Sequence, residues 1–180
     1  MIGRMLTLSQ SLSFLLVAIL ITASPGPDNL MVLGMGMSKG RRQGIAFGLG
    51  CALGCLSHTV LAAIGVSAVV AASPLAFTLL KWMGGLYLIW LGIQALRSQG
   101  GAQMDAASKQ GQSLRSLFTK GLVANAINPK VVLFFLSFLP QFVVPSQGQV
   151  GLQLGLLGLL FTAQAAVLFG LLGYFAGTIG

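Results

Sequence analysis

Long runs without a charged residue alternate with short basic clusters along the chain. Residues 5–27 and 43–80 carry no charge, and neither does the stretch 131–180. About 20 apolar residues in a helix span the hydrocarbon core of a membrane, so the last run is long enough for two passes. The pattern predicts five spanning helices near residues 9–37, 44–71, 75–96, 118–142 and 151–177.

Composition supports this prediction. Hydrophobic residues make up 56% of the 180 residues and charged residues 7%, whereas soluble domains have about 25% charged residues. The net charge is +8, but the basic residues fall between apolar runs and do not line one helix face, which argues against a nucleic-acid partner. The predicted fold class is therefore an all-α polytopic membrane protein, a single helical bundle in a lipid bilayer.

The basic clusters also predict the orientation and the division of the chain. Short loops rich in lysine and arginine stay in the cytoplasm, and two such loops follow the first and third spans. A polar linker at 98–117 separates a first unit, 1–97, from a second unit, 118–180. The cytoplasmic loops contain Lys39, Arg41 and Arg42 in one case and Arg97, Lys109, Arg115 and Lys120 in the other.

The first span contains residues that disrupt a helix. The segment 24–29 reads Ser-Pro-Gly-Pro-Asp-Asn and lies between two apolar stretches. Prolines remove backbone donors and leave carbonyls unpaired, and a carboxylate such as Asp28 costs about 2.5 to 3.5 kcal/mol near the bilayer centre. A broken helix with a functional Asp28 is the first interpretation. A helix end at the interface, with Asp28 as its N-cap, is the alternative.

The fourth span has a matching defect at residues 125–130, which read Asn-Ala-Ile-Asn-Pro-Lys. Pro129 lies 104 residues after Pro25, and both breaks lead into a glycine-rich span. The pattern indicates an internal repeat of three-helix units that begin with broken helices, at spans 1 and 4. Because each unit has an odd number of spans, the second is expected to be inverted relative to the first.

Proline-interrupted spans in corresponding halves are typical of the binding site of a secondary transporter. Free N–H groups at one half-helix end attract an anion such as a carboxylate, and free carbonyls at the other accept an ammonium group or a cation. Asp28 is a candidate for binding the ammonium or for carrying a proton. Lys130 is a candidate for pairing with Asp28 or for meeting the carboxylate. The predicted site comprises Pro25, Gly26, Pro27, Asp28, Asn29, Asn125, Asn128, Pro129 and Lys130.

These motifs identify a family resemblance. Pro25-Gly26-Pro27-Asp28 after the first apolar run and Asn128-Pro129-Lys130 in the fourth span resemble the LysE and RhtB family of bacterial amino-acid exporters. The resemblance implies a multi-pass inner-membrane carrier with no cofactor and no enzymatic activity. It implies export of threonine, homoserine, homoserine lactone, leucine or basic amino acids, coupled to protons by alternating access.

The family usually has six hydrophobic segments, whereas five are predicted here. We therefore expect a chain that lacks the last helix of its second unit, either because it is truncated or because it works with five spans or completes itself as a homo-oligomer.

A different class of function is the alternative. Cys51, Cys55 and His58 follow one another at helical spacing on one face of the second span. Two thiolates and an imidazole suit a transition metal or thiol-redox chemistry. In a glycine-rich helix, small cysteines are more often packing residues.

Overall fold

The chain is described here from a computed structural model that covers residues 6–97 and 112–179. The regular structure of these residues is helical throughout. Seven α-helices follow one another as α1 (Leu8–Ala23), α2 (Pro27–Lys39), α3 (Arg41–Ala72), α4 (Pro74–Arg97), α5 (Leu114–Ala126), α6 (Pro129–Ser137) and α7 (Val150–Ile179). Two short 3₁₀ turns, Leu139–Phe142 and Pro145–Gln147, connect α6 to α7.

Both predicted breaks are confirmed. Helices α1 and α2 occupy the first predicted span and meet at an angle of 59°, and α5 meets the helical segment Pro129–Phe142 at 53° in the fourth. Helix α5 begins at Leu114, four residues before the predicted start of that span, so the linker predicted for 98–117 ends earlier. The rest of that linker, residues 98–111, lies outside the described residues.

Two unbroken helices, α3 and α7, are long and apolar enough to cross a membrane. If each bent pair is counted as a single span, the described residues contain up to four membrane spans. Helix α4 covers the third predicted span with 24 residues, but it is not among the spans found by length and hydropathy. A membrane-spanning bundle is thus confirmed, and the total of five spans stays a prediction.

Contacts between the two halves of the chain dominate the packing. Helices α3 and α7 form the most extensive contact of the bundle and lie at its centre. Between the two halves, α3 also packs on α5 and α6, and α7 packs on α1 and α2. Each long helix therefore contacts the broken helix of the opposite half. Helix α2 packs on α3 as well, within the first half.

Glycines set the distance between α3 and α5. A Cβ atom added to Gly50 would lie 2.0 Å from the backbone oxygen of Phe118, and one added to Gly121 would lie 2.1 Å from that of Phe47. The two backbones are therefore in direct contact. In a membrane, where lipid tails are as apolar as leucine, such close approach supplies van der Waals contact that drives helix association.

A buried glutamine holds the connection between α6 and α7. The side chain of Gln153, 1% exposed, accepts a hydrogen bond from the backbone nitrogen of Val144 at 3.0 Å. It donates to the backbone oxygens of Val144 and Gly148 at 3.1 and 2.7 Å. Gln10 of α1 donates to the backbone oxygen of Phe142. These amides satisfy backbone groups that the irregular segment leaves without helical partners.

The glycine contact predicts a position-specific loss of stability. Replacing Gly50 with Ala inserts a methyl group against backbone atoms that no rotamer change can move, and overpacking of this kind costs about 1–3 kcal/mol. The matched control is Gly65→Ala in the same helix, where an added Cβ meets nothing within 4 Å. We expect the thermal midpoint of the protein in detergent to fall in Gly50→Ala and not in Gly65→Ala. Equal midpoints would contradict the described contact.

Candidate functional site

The first break places Asp28 inside the protein. Helix α2 begins with Gly26 as its N-cap and Pro27 as its first residue, a position where the missing proline N–H costs nothing. Asp28 follows in the first turn and is only 5% exposed. The alternative that made Asp28 the N-cap of an interfacial helix is therefore wrong. A carboxylate in the first turn is stabilised by the positive end of the helix dipole.

The second break has the same plan with a different cap. Asn128 is the N-cap of α6, and its side-chain oxygen accepts a hydrogen bond from the backbone nitrogen of Lys130 at 3.0 Å. Pro129 is the first helical residue, as Pro27 is in α2. Because Asn128 satisfies an orphan amide of its own helix, the N-terminus of α6 is less free to bind an anion than that of α2, whose N-cap glycine has no side chain.

A hydrogen bond joins the two breaks. The amide nitrogen Nδ2 of Asn125, in the last turn of α5, donates to Oδ2 of Asp28 at 2.7 Å. Both residues are buried. A hydrogen bond between buried polar groups is strong in a low-dielectric interior, and removing either partner would leave the other without this bond. The two helices that proline interrupts are thus tied to each other where each is interrupted.

Lys130 joins the breaks a second time. Its Nζ donates to the backbone oxygens of Ile21 and Ser24 at 3.2 and 3.1 Å and to the hydroxyl oxygen of Ser24 at 2.7 Å. These acceptors lie at the end of α1 and at its C-cap. Sequence left open whether Lys130 pairs with Asp28 or meets a substrate carboxylate. In the structure its ammonium group binds the carbonyls that the first break exposes.

Gly26 makes room for the Lys130 side chain. A Cβ atom at Gly26 would lie 3.0 Å from Nζ of Lys130 and 3.4 Å from its Cδ. The other carbonyl at the end of α1, that of Thr22, accepts a hydrogen bond from Nδ2 of Asn29 at 2.8 Å. Of these three carbonyls at the first break, two accept hydrogen bonds from Lys130 of the second broken helix and one from Asn29 of the first.

A small cavity lies between the breaks. The space inside it that the centres of water molecules can reach is about 30 Å³, enough for about two waters at roughly 10–15 Å³ each. Six of the nine predicted site residues line it, together with apolar and polar residues of α1, α3, α6 and α7 that sequence reasoning did not assign. The predicted residues are Gly26, Asp28, Asn29, Asn125, Asn128 and Lys130, and the additional ones are Ile21, Thr22, Cys55, Val131, Phe134, Phe161 and Phe169.

The three predicted prolines lie elsewhere. Pro25, Pro27 and Pro129 are exposed and are not part of the cavity wall. Their contribution is to the backbone, since a proline in the first turn fixes the start of a helix and ends the hydrogen-bond ladder before it. They position the polar side chains that follow them.

Ser24 and Gln164 belong to the same polar cluster and were missed as site residues. Ser24 supplies two of the oxygens that hold Lys130. Gln164 of α7 donates to the hydroxyl of Thr22 at 2.9 Å. A glutamine inside the long apolar run of the last span was the signal that would have identified Gln164.

Cys51, Cys55 and His58 do lie on one face of α3, but they do not form a metal site. Among the described residues, no group of three histidine, cysteine or acidic side chains is arranged to hold a metal ion. Both cysteines are buried and reduced. Sγ of Cys55 lies 3.5 Å from Oδ1 of Asn125. Nε2 of His58 lies 3.0 Å from the backbone oxygen of Asn125. Two of the three residues thus contact the second break.

Comparison with known proteins agrees with this architecture. The model of the LysE type translocator family matches residues 19–179. A membrane protein of Vibrio cholerae, named as uncharacterized, is 36% identical over 160 residues, which cover 88% of this chain and 77% of that protein. No solved structure matches the chain.

Two relatives carry functional names. The homoserine/homoserine lactone efflux protein of Salmonella typhimurium is 36% identical over 77% of this chain and 66% of its own length. The leucine efflux protein of Klebsiella pneumoniae is 30% identical over 73% of this chain and 62% of its own length. The chain thus spans about two thirds of these two relatives. The family model covers most of the chain, and the chain accordingly belongs to the LysE type translocator family, whose members are membrane transporters and not enzymes.

Proposed function

We propose that this protein exports amino acids or close derivatives across the bacterial inner membrane, using the proton gradient. The observation that carries the proposal is the meeting of the two helix breaks at one buried polar cavity, where Asn125 binds Asp28 and Lys130 binds the carbonyls of Ile21 and Ser24. Discontinuous helices that face each other near the centre of a bundle form the substrate sites of secondary transporters.

The chemistry of the cavity favours recognition of an ammonium group. Homoserine, homoserine lactone and leucine, named for the relatives, share an amino group, whereas the lactone has no carboxylate. Backbone oxygens of Ile21 and Ser24 already hold the ammonium group of Lys130, so the same oxygens suit a substrate ammonium. Asp28 lines the same cavity and supplies the negative charge. In this proposal the substrate displaces Lys130 from the carbonyls.

The size of the cavity supports alternating access. Space for about two waters at the site is too little for an amino acid, so the cavity must widen to admit a substrate. The two broken helices are proposed to rearrange at their breaks and to open the cavity to one side at a time. The hydrogen bonds between the breaks would then form and separate once in each transport cycle.

Asp28 is the proposed site of proton coupling. It is the one acidic side chain of the cavity wall, and its only acidic companion in the chain is Asp105 in the linker predicted from sequence. A buried carboxylate can take up a proton when its hydrogen-bond partner or a substrate cation leaves. Protonation of Asp28 would release the substrate ammonium, and loss of the proton would restore the bond to Asn125.

Substituting Asp28→Asn is expected to abolish coupled export without preventing membrane insertion, because the amide keeps an acceptor for Asn125 but has no charge and no titratable proton. Bacterial cells that lack their own exporters and are fed mixed dipeptides would be assayed for extracellular amino acids at matched membrane levels. Asp105→Asn removes the same charge elsewhere and is the control. Undiminished export by Asp28→Asn would remove Asp28 from the mechanism.

Substituting Lys130→Met is expected to lower export at least about tenfold and to destabilise the protein by about 1–3 kcal/mol, since carbonyls at the end of α1 lose their donor. The control is Lys120→Met, at an exposed position of α5. Export assays and thermal unfolding in detergent measure the two effects.

Exchanging Asp28 and Lys130 should not restore export, because each residue has its own hydrogen-bond partners. Recovery by the exchange would show that a direct ion pair matters more than these contacts.

A further inference from the structure

His58 contacts the second break from outside the cavity wall. The residue lies on α3, and its ring is 2% exposed. Nε2 lies 3.0 Å from the backbone oxygen of Asn125. The same oxygen accepts a hydrogen bond from the backbone nitrogen of Asn128 at 2.9 Å, which forms the turn of the break. The ring of Phe135 packs beside the imidazole, with centroids 5.6 Å apart.

The contact determines which ring nitrogen carries the hydrogen. A carbonyl oxygen only accepts hydrogen bonds, so Nε2 carries the hydrogen that reaches Asn125. Nδ1 is buried and has no partner among the described residues. A hydrogen on Nδ1 would be an unsatisfied donor in the interior, which is costly. The geometry therefore fits the tautomer with its hydrogen on Nε2.

Asn125 is held at its backbone oxygen and at both polar atoms of its side chain. Its backbone oxygen accepts from His58 and from Asn128, Oδ1 lies 3.5 Å from Sγ of Cys55, and Nδ2 donates to Asp28. His58 and Cys55 both belong to α3 and connect this residue to it. His58 holds the backbone of Asn125, from which the side-chain amide extends to the Asp28 carboxylate.

We propose that His58 is a positioning residue of the transport site, which acts as a neutral donor to the Asn125 carbonyl and does not itself carry the coupled proton. The inference deepens the proposed export function and rests on it. It assigns to the single histidine of the chain a role in orienting Asp28 for the substrate ammonium, and it places no metal or redox chemistry at this residue.

Two variants with the same functional group separate positioning from titration. The amide of His58→Gln reaches the place of Nε2 and can donate to Asn125, whereas that of His58→Asn reaches only the place of Nδ1. Transport into inverted membrane vesicles would be measured at several substrate concentrations. We expect His58→Gln to stay within about twofold of the unaltered protein and His58→Asn to raise the half-saturating concentration about tenfold, the scale of one buried hydrogen bond.

Other outcomes overturn the proposal. If His58→Gln loses coupled transport as completely as His58→Asn at normal membrane levels, transport requires a titratable imidazole and not only a hydrogen-bond donor to Asn125. If both variants transport normally, the contact with Asn125 has no functional role. Absence of transport by the unaltered protein, at normal membrane levels, would instead contradict the export function.

A spectroscopic measurement tests the positioning contact without any transport assay. Because the chain contains one histidine, ¹⁵N-histidine labelling of the protein, purified without a histidine tag and placed in lipid vesicles, gives the signals of His58 alone. We expect a neutral ring with its hydrogen on Nε2 at pH 7. An imidazolium, or a neutral ring with its hydrogen on Nδ1, would overturn the proposal even if export is confirmed.

Discussion

Interrupting a helix within a membrane leaves backbone carbonyls and amides that lipid cannot satisfy, and this constraint explains the arrangement of the site. At the end of α1, the carbonyls of Ile21 and Ser24 receive Nζ of Lys130, and that of Thr22 receives the amide of Asn29. The side chain that satisfies most of the first break comes from the second. The first broken helix is therefore not complete by itself, and the cavity lies where Lys130 of the second completes it.

This mutual dependence connects stability with function. A polar network in a low-dielectric interior is strong when every member is satisfied and costly when one is missing. In the proposed export cycle, an entering substrate replaces hydrogen bonds that hold α1 to α6 and α5 to α2. A ligand with an ammonium group offers an equivalent donor, so under this proposal opening the cavity with substrate is less costly than opening it empty. One set of oxygens would then couple binding to conformational change.

Much of the fold and of the site could be predicted from the sequence, because prolines and charged residues inside apolar runs mark the helix breaks. The two breaks, the long helices after them and the proximity of Asp28 and Lys130 to the site followed from residue type and spacing. The hydrogen-bond partners of these residues could not be predicted from the sequence. Whether Lys130 meets Asp28 or the carbonyl of Ile21 depends on the angle between helices that are more than 100 residues apart in the chain. His58 looked like a metal ligand because periodicity places it beside two cysteines, whereas tertiary packing directs it to Asn125.

The contact at Gly50 and Gly121 indicates which parts of the bundle are suited to move. Where two backbones touch, no side chain can rotate to absorb a displacement, and α3 and α5 are held together as one body. Helix α6 is separated from α5 by its break and is followed by an irregular connection. It contains no glycine that would allow a contact of this kind. For distance measurements with paired spin labels, α3 and α5 thus provide a fixed frame of reference, and a label on α6 is the one whose distance to that frame should report the cycle.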